Sequence, residues 1–174
     1  MSKYFIIIDM QNDFTTGALK NDAATKMIPA IVEKAKELKA KGYTIIATRD
    51  THQENYLETQ EGKNLPVPHC IENSDGWQVV EPIAAVTDKY VNKPSFGFAG
   101  WKEFFEKSMN DSNVEDIQMC GTCTGICVAS NYAAIKAAFP ELAITVYKDL
   151  CACVTPESHA AAITTMQMQH AIIK

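Results

Sequence analysis

The chain has 174 residues, 47% of them apolar and 21% charged, a balance that excludes disordered and fibrous classes. That length makes one domain, residues 1–174, with enough chain for a sizeable core. With a net charge of −5 and no basic run, nucleic acid and anionic membrane are not expected as partners.

The apolar run that opens the chain ends at Asp9 after four residues, too short for a signal peptide or a membrane span. Six cysteines without a secretory signal point to a reducing compartment, read as the cytoplasm. Tyr4 to Ile8 is a continuous β-prone run and predicts a first strand buried on both faces. It ends in Asp9-Met10-Gln11-Asn12-Asp13-Phe14. A carboxylate directly after a buried strand is costly to desolvate without a partner, so Asp9 is either a site residue or a loop cap.

Residues 22–41 carry helical periodicity, with Ile28, Ile31, Val32, Ala35 and Leu38 on one face. Asp22 is the expected N-cap and Gly42 the expected C′ residue. Tyr43 to Ala47 is a second strand, which completes a βαβ unit with a right-handed crossover. Thr48-Arg49-Asp50-Thr51-His52 follows. In extended chain Asp50 and His52 project to one side. After a polar stretch, Pro66 and Pro68 hold the approach to His69 rigid. Asp50, His52 and His69 form an oxygen and nitrogen set suited to a divalent metal with open positions, zinc first. The alternative is three unrelated surface side chains.

Residues 75–81 resume structure and are expected to cover the site. Asp88 to Lys93 reads as strand three, with Lys93 at its carboxyl end. A turn carrying Phe96, Phe98 and Trp101 leads into a short helix over 101–109. Ile117 to Cys120 reads as strand four. The chain then turns through Gly121-Thr122-Cys123-Thr124-Gly125 into a helix whose first turn holds Cys127. Orphan N–H groups and the helix dipole converge there, and with Lys93 nearby they are expected to lower the thiol pKa. The alternative is a small core thiol. Leu142 to Tyr147 reads as strand five, Cys151-Ala152-Cys153 as a loop, Thr155 to Ser158 as a capped start of the last helix, and 171–173 as a short sixth strand. The fold expected is α/β: three layers αβα, a doubly wound, Rossmann-like, mostly parallel sheet of five or six strands with helices on both faces.

Asp9, Lys93 and Cys127 follow or end strands one, three and four, whose tips lie together in such a sheet. The set D-M-Q-N-D-F at 9–14, R-D-T-H at 49–52, P-H-C at 68–70, Lys93 before an aromatic turn, and G-T-C-T-G-I-C-V at 121–128 resembles the isochorismatase-like cysteine hydrolases, in particular the nicotinamidase branch. The likeness covers nearly the whole chain, with the motifs in the family's order and spacing. It implies a catalytic triad of Asp9, Lys93 and Cys127. It also implies a cis peptide between Thr122 and Cys123, and an oxyanion hole from the backbone N–H groups of Cys123 and Cys127. The implied metal set is Asp50, His52 and His69, with Glu61 where some members add a carboxylate; zinc is the first choice, manganese, iron and magnesium the others. Phe14 stands where an aromatic packs on the substrate ring, and Phe96 and Phe98 join it as expected substrate contacts. Relatives are often dimers or tetramers, so a homo-oligomer is expected.

The implied reaction is hydrolysis of a small cyclic carboxamide, nicotinamide to nicotinate and ammonia, through a thioester on Cys127, which would place the protein in NAD metabolism. Two departures bear on the substrate: Gly125 stands where the family has Asp, and Thr51 where it has Trp. The rival substrates are a carbamoyl or maleamate-like amide, or isochorismate. From another class, Cys120, Cys123 and Cys127 could ligate a metal or iron–sulfur cluster, but the first falls in a predicted strand and the last in a helix. A catalytically silent scaffold is disfavoured by the complete triad. Cys70, Cys120, Cys123, Cys151 and Cys153 are expected to be packing or bystander thiols, with Cys123 contributing only its backbone.

Overall fold

The structure, a computed structural model, describes residues 2–174. Its strands are β1 (Ser2–Ile8), β2 (Tyr43–Asp50), β3 (Lys89–Lys93), β4 (Val114–Thr122), β5 (Ile144–Ala152) and β6 (Ile172–Ile173). They form one sheet in the order β3-β2-β1-β4-β5-β6, and every neighbouring pair is parallel. Strand order reverses between β1 and β4, and the crevice beyond their carboxyl ends is where such sheets hold ligands. β1 is the centre of the core: Tyr4 to Ile8 are almost wholly buried, as expected of a strand covered by helices on both faces.

Register places the site residues. Ile8 pairs with Gly121, so Asp9 emerges beside the end of β4. Gly121 has φ +125, and a Cβ there would meet the Ile8 carbonyl oxygen at 2.2 Å, so only glycine lets the two central strands meet at this level. Asp50 pairs directly with Lys93 across β2 and β3.

The Asp22–Ala40 helix buries Ala24, Ile31, Ala35 and Leu38, and burying the two large side chains contributes about 1.5–3 kcal/mol each. Its N-cap is Asn21 rather than Asp22, because the Asn21 side-chain oxygen Oδ1 accepts from the N–H groups of Ala23 and Ala24. Gly42, with φ +84, ends it as expected.

Several strands run further than their apolar stretches. β2 continues to Asp50 and β5 to Ala152, because backbone pairing persists after the side chains turn polar: Arg49 with Asn92, and Thr122 with Ala152. The 101–109 segment divides into a short helix, Trp101–Glu103, and a wider π-type turn, Phe104–Ser108. Thr155 caps the Pro156–Met168 helix with a reciprocal Ser158 bond, as the spacing predicts. No helix of the described residues is long and apolar enough to cross a membrane.

Candidate active site

Asp9, Lys93 and Cys127 meet. Lys93 Nζ lies 2.7 Å from Asp9 Oδ2 and 3.6 Å from Cys127 Sγ, and it also donates to Asp50 Oδ1 and to the Ser95 carbonyl, each at 3.2 Å. Asp9 and Lys93 are 0% exposed and Cys127 5%, so the ammonium has exchanged water for these groups alone. Asp9 adopts φ +50. Thr48 of β2 holds it at both ends: its hydroxyl accepts from the Asp9 N–H at 3.1 Å and donates to Oδ1 at 2.5 Å. Oδ2 keeps its ion contact with Lys93 but has no well-formed hydrogen bond, leaving a buried lone pair for a proton.

Cys127 sits in a wide π-type turn, Thr124–Val128, that passes into the Ala129–Ala138 helix. The expected lowering of its pKa is not found. Burial, and then the charge of Asp9, push the Cys127 thiol well above its ordinary range, and Lys93 only opposes them. The Lys93 pKa is raised: burial alone would lower it, but Asp9, Cys127 and Asp50 outweigh burial. Burial lifts Asp9 as well, against the attraction of Lys93. Desolvation therefore outweighs the helix dipole at Cys127 and opposes charge on both Cys127 and Asp9.

Fully buried Asn131 ties this turn to the one after Lys93. Its amide donates to the carbonyls of Cys127 (2.8 Å) and Phe96 (3.0 Å), and its oxygen accepts from Phe98 N–H (3.0 Å) and Trp101 Nε1 (2.9 Å). The peptide between Thr122 and Cys123 is cis.

On the other side of Lys93, Asp50, His52, Glu61 and His69 each present one donor atom, all within 4.8 Å of one another. His52 Nε2 and His69 Nε2 lie 3.0 and 3.5 Å from Asp50 Oδ2, and 3.6 and 3.8 Å from Glu61 Oε1. Ligands about 2.1 Å from a tetrahedral ion stand roughly 3.4 Å apart, so these spacings fit a zinc-sized cation. The donor chemistry fits too: two imidazoles and two carboxylates, with His69 Nδ1 bonded to the Val67 carbonyl at 2.8 Å so that Nε2 faces the group. Charge gives a third argument. The carboxylates of Asp9, Asp50 and Glu61 outnumber the single ammonium of Lys93, and a divalent cation would restore balance. Without one, burial raises the Glu61 pKa, while for Asp50 the bonds from His52 and His69 and the charge of Lys93 overcome burial and hold it down.

Both sets open into one cavity of about 620 Å³. Phe14, Asp50, Glu61, His69, Phe96, Cys123 and Cys127 are all in its wall. Phe14 packs edge-on to the His69 ring at 5.6 Å. Phe98 does not join them. It turns inward and packs edge-on against Trp101 at 5.4 Å, because the Asn131 bond to its N–H points the turn that way. Leu19, Leu65, Ile126 and Val154 supply apolar wall that the sequence reading did not anticipate.

Three polar residues behind the site were also missed: Thr48, Asn131 and Gln11. The Gln11 amide brackets Asp50 like a neighbouring strand, accepting from its N–H at 2.8 Å and donating to its carbonyl at 2.9 Å. Gln11, Thr48 and Asn131 all lay inside or beside the stretches that bear Asp9, Asp50 and Cys127, which was the available signal. Another expectation is overturned: Cys123 and Cys153 are not bystander thiols, for their sulfurs are in disulfide contact across the ends of β4 and β5. With Cys123 joined to Cys153 and Cys120 inside β4, the three cysteines 120, 123 and 127 do not form a ligand group among the described residues.

A family model for the isochorismatase domain matches residues 3–173. Among solved structures, a pyrazinamidase of Pyrococcus horikoshii in complex with zinc superposes with a TM-score of 0.82 at 26% identity, over 100% of this chain and 99% of that one. A nicotinamidase/pyrazinamidase of Bacillus subtilis gives 0.85 at 22% identity, over 99% of both chains. A pyrazinamidase/nicotinamidase of Streptococcus mutans gives 0.85 at 24%, over 99% of this chain and 100% of that one.

Proposed function

The chain belongs to the isochorismatase family of hydrolases, and from that premise we propose that it is a metal-containing cysteine amidohydrolase acting on a small cyclic carboxamide, nicotinamide to nicotinate and ammonia. The observation that carries this reading is the buried Asp9–Lys93–Cys127 cluster, 2.7 and 3.6 Å across its two contacts, opening into the same cavity as the four-ligand group. The similarity to a pyrazinamidase crystallised with zinc supports both the substrate class and the metal.

Because burial favours the protonated thiol, Asp9 removes its proton as sulfur adds to the amide carbon, and Lys93 steadies the charge that develops between them. The N–H groups of Cys123 and Cys127 receive the tetrahedral oxyanion. Asp9 then returns the proton to the departing nitrogen, which leaves as ammonia, and the acyl group stays on Cys127 as a thioester. Water deprotonated by Asp9 attacks that thioester and releases the carboxylic acid and the thiol. Asp50, His52, Glu61 and His69 would hold a divalent ion that supplies a Lewis-acidic point for a ring nitrogen, directly or through water. Phe14 and Phe96 cover the ring faces.

Ammonia release from nicotinamide, pyrazinamide and maleamate by zinc-loaded protein tests the reading. Turnover of the aromatic amides, abolished in Cys127→Ala, is expected. Turnover of maleamate alone would reassign the substrate, and silence on all three would overturn the activity.

A further inference from the structure

We propose that Cys123 and Cys153 are a reversible dithiol–disulfide pair, a redox modification site that fastens the wall of the substrate cavity. Only its effect on turnover rests on the amidohydrolase reading; its formation does not.

The fold sets the pair up. Thr122 and Ala152 are partners at the ends of β4 and β5, and the next residue in each chain segment is a cysteine. The two therefore leave neighbouring parallel strands at one level, with Cα atoms 4.5 Å apart, inside the range that a disulfide spans. Cys70, Cys120, Cys127 and Cys151 are free and buried, so this pair alone unites two sulfurs. It is also reachable: Cys123 is half-buried in the cavity wall, and Val154, beside Cys153, is 77% exposed in the same wall.

The bridge joins three parts of that wall. The Cys123 carbonyl accepts from Ile126 and Val128 N–H at 3.1 Å each, which ties it to the turn bearing Cys127. The Cys153 sulfur accepts from Gly125 N–H at 3.4 Å, and the Cys153 carbonyl from the Asn21 amide at 2.9 Å. A covalent link here holds the nucleophile turn against the end of β5 and the start of the Asp22–Ala40 helix. The active geometry exists with the sulfurs in contact, so the bridged form is the competent one, and reduction loosens the turn.

The chemistry balances with a peroxide as oxidant. One thiol attacks a peroxide oxygen, the O–O bond breaks, and water and a sulfenic acid form; the second thiol attacks that sulfur and a second water leaves. Oxidised glutathione gives the same bridge by two thiol exchanges, each releasing one glutathione thiol.

The experiment uses the whole protein in oxidised glutathione or in dithiothreitol, with free thiols trapped by iodoacetamide after denaturation and counted by intact mass. Four labelled cysteines in the oxidised state are expected, rising to all six on reduction, with a peptide joining residues 123 and 153. Closing a loop across a separation of 30 residues should raise the melting temperature by roughly 6–12 °C. Reduction should lower kcat/KM several-fold and re-oxidation restore it, while Cys153→Ser holds the reduced values in both buffers. Six labelled thiols after oxidation would overturn the proposal, as would a bridge whose reduction leaves melting unchanged. Should no amide be turned over in either state, the thiol count and melting shift still decide the pair, and only the activity reading fails.

Discussion

The sulfur side of the cavity hangs from strand ends, whereas the four-ligand side draws three of its four residues from the connection between β2 and β3. Lys93 ends β3, Asp9 directly follows β1, and Cys127 lies one turn beyond β4, so the central ladder dictates their separations. His52, Glu61 and His69 come from the segment between β2 and β3, where short backbone elements and side chains share the work: His52 N–H donates to the Cys70 carbonyl at 3.0 Å, the His52 carbonyl accepts from Glu72 N–H at 2.8 Å, and Glu61 sits in the short helix Gln60–Asn64. The Tyr56 ring packs at 4.7 and 5.0 Å from His52 and His69, and its hydroxyl anchors the Leu65 carbonyl at 2.9 Å. Asp50 is the joint, with Oδ1 on Lys93 and Oδ2 on the two histidines. A rigid ladder suits a nucleophile that must be aimed at a carbonyl. A loop suits ligands that close around an ion. One carboxylate shared between them would carry the charge of a bound cation to Lys93.

Substitutions separate the two sides of the cavity. Cys127→Ala should cost about 10⁴-fold or more in kcat, with melting little changed, since a small apolar side chain replaces a neutral thiol. Retained turnover would remove the sulfur side from the chemistry. Lys93→Met leaves the Asp9 and Asp50 carboxylates buried without their cation and should destabilise the fold by roughly 3–5 kcal/mol in urea denaturation. A loss below about 1 kcal/mol would mean that the ion cluster is wetter than its burial implies. His69→Ala should weaken zinc binding by at least about 100-fold in a competition titration, and leave iodoacetamide labelling of metal-free Cys127 unchanged; a change in labelling would show that the halves are not separable. Thr48→Val removes both bonds to Asp9 at almost constant volume and should cost about 1–3 kcal/mol, read as stability and a lower kcat together.

The smallest effect concerns pH. Because burial and Asp9 raise the Cys127 pKa, labelling of the metal-free protein should be slow at neutral pH and still be climbing above pH 9, beyond the ordinary thiol midpoint near 8.5. The sign follows from the folded state favouring the protonated thiol, so thiolate appears only as pH rises. A plateau below pH 7 would restore the dipole-lowered thiolate expected from the sequence.

Much of the sulfur side was legible because it follows from period and position. A buried apolar run that ends in Asp9, another that ends in Lys93, and a glycine turn before Cys127 each announce a strand tip, and parallel sheets bring such tips together. The alternation of Asp50 and His52 was legible for the same reason. Phe98 was misread because composition placed three aromatics in one turn without saying which faced inward. Asn131 chose between them, through bonds that span 30 and 33 residues of chain. The thiol pKa was misjudged because the dipole is a local feature and can be read from a helix start. Desolvation depends on every element packed around the sulfur.

From the amino-acid order alone came the strands, the principal helices and the parallel class of the sheet, since each depends on local periodicity, while the candidate site residues came from their places at strand ends and from the family resemblance. The tertiary structure decided the pairing of Asp50 with Lys93, the hidden support of Gln11, Thr48 and Asn131, the burial that raises the thiol pKa and the union of Cys123 with Cys153. Those depend on register and burial, which arise only when segments distant in sequence exclude water together.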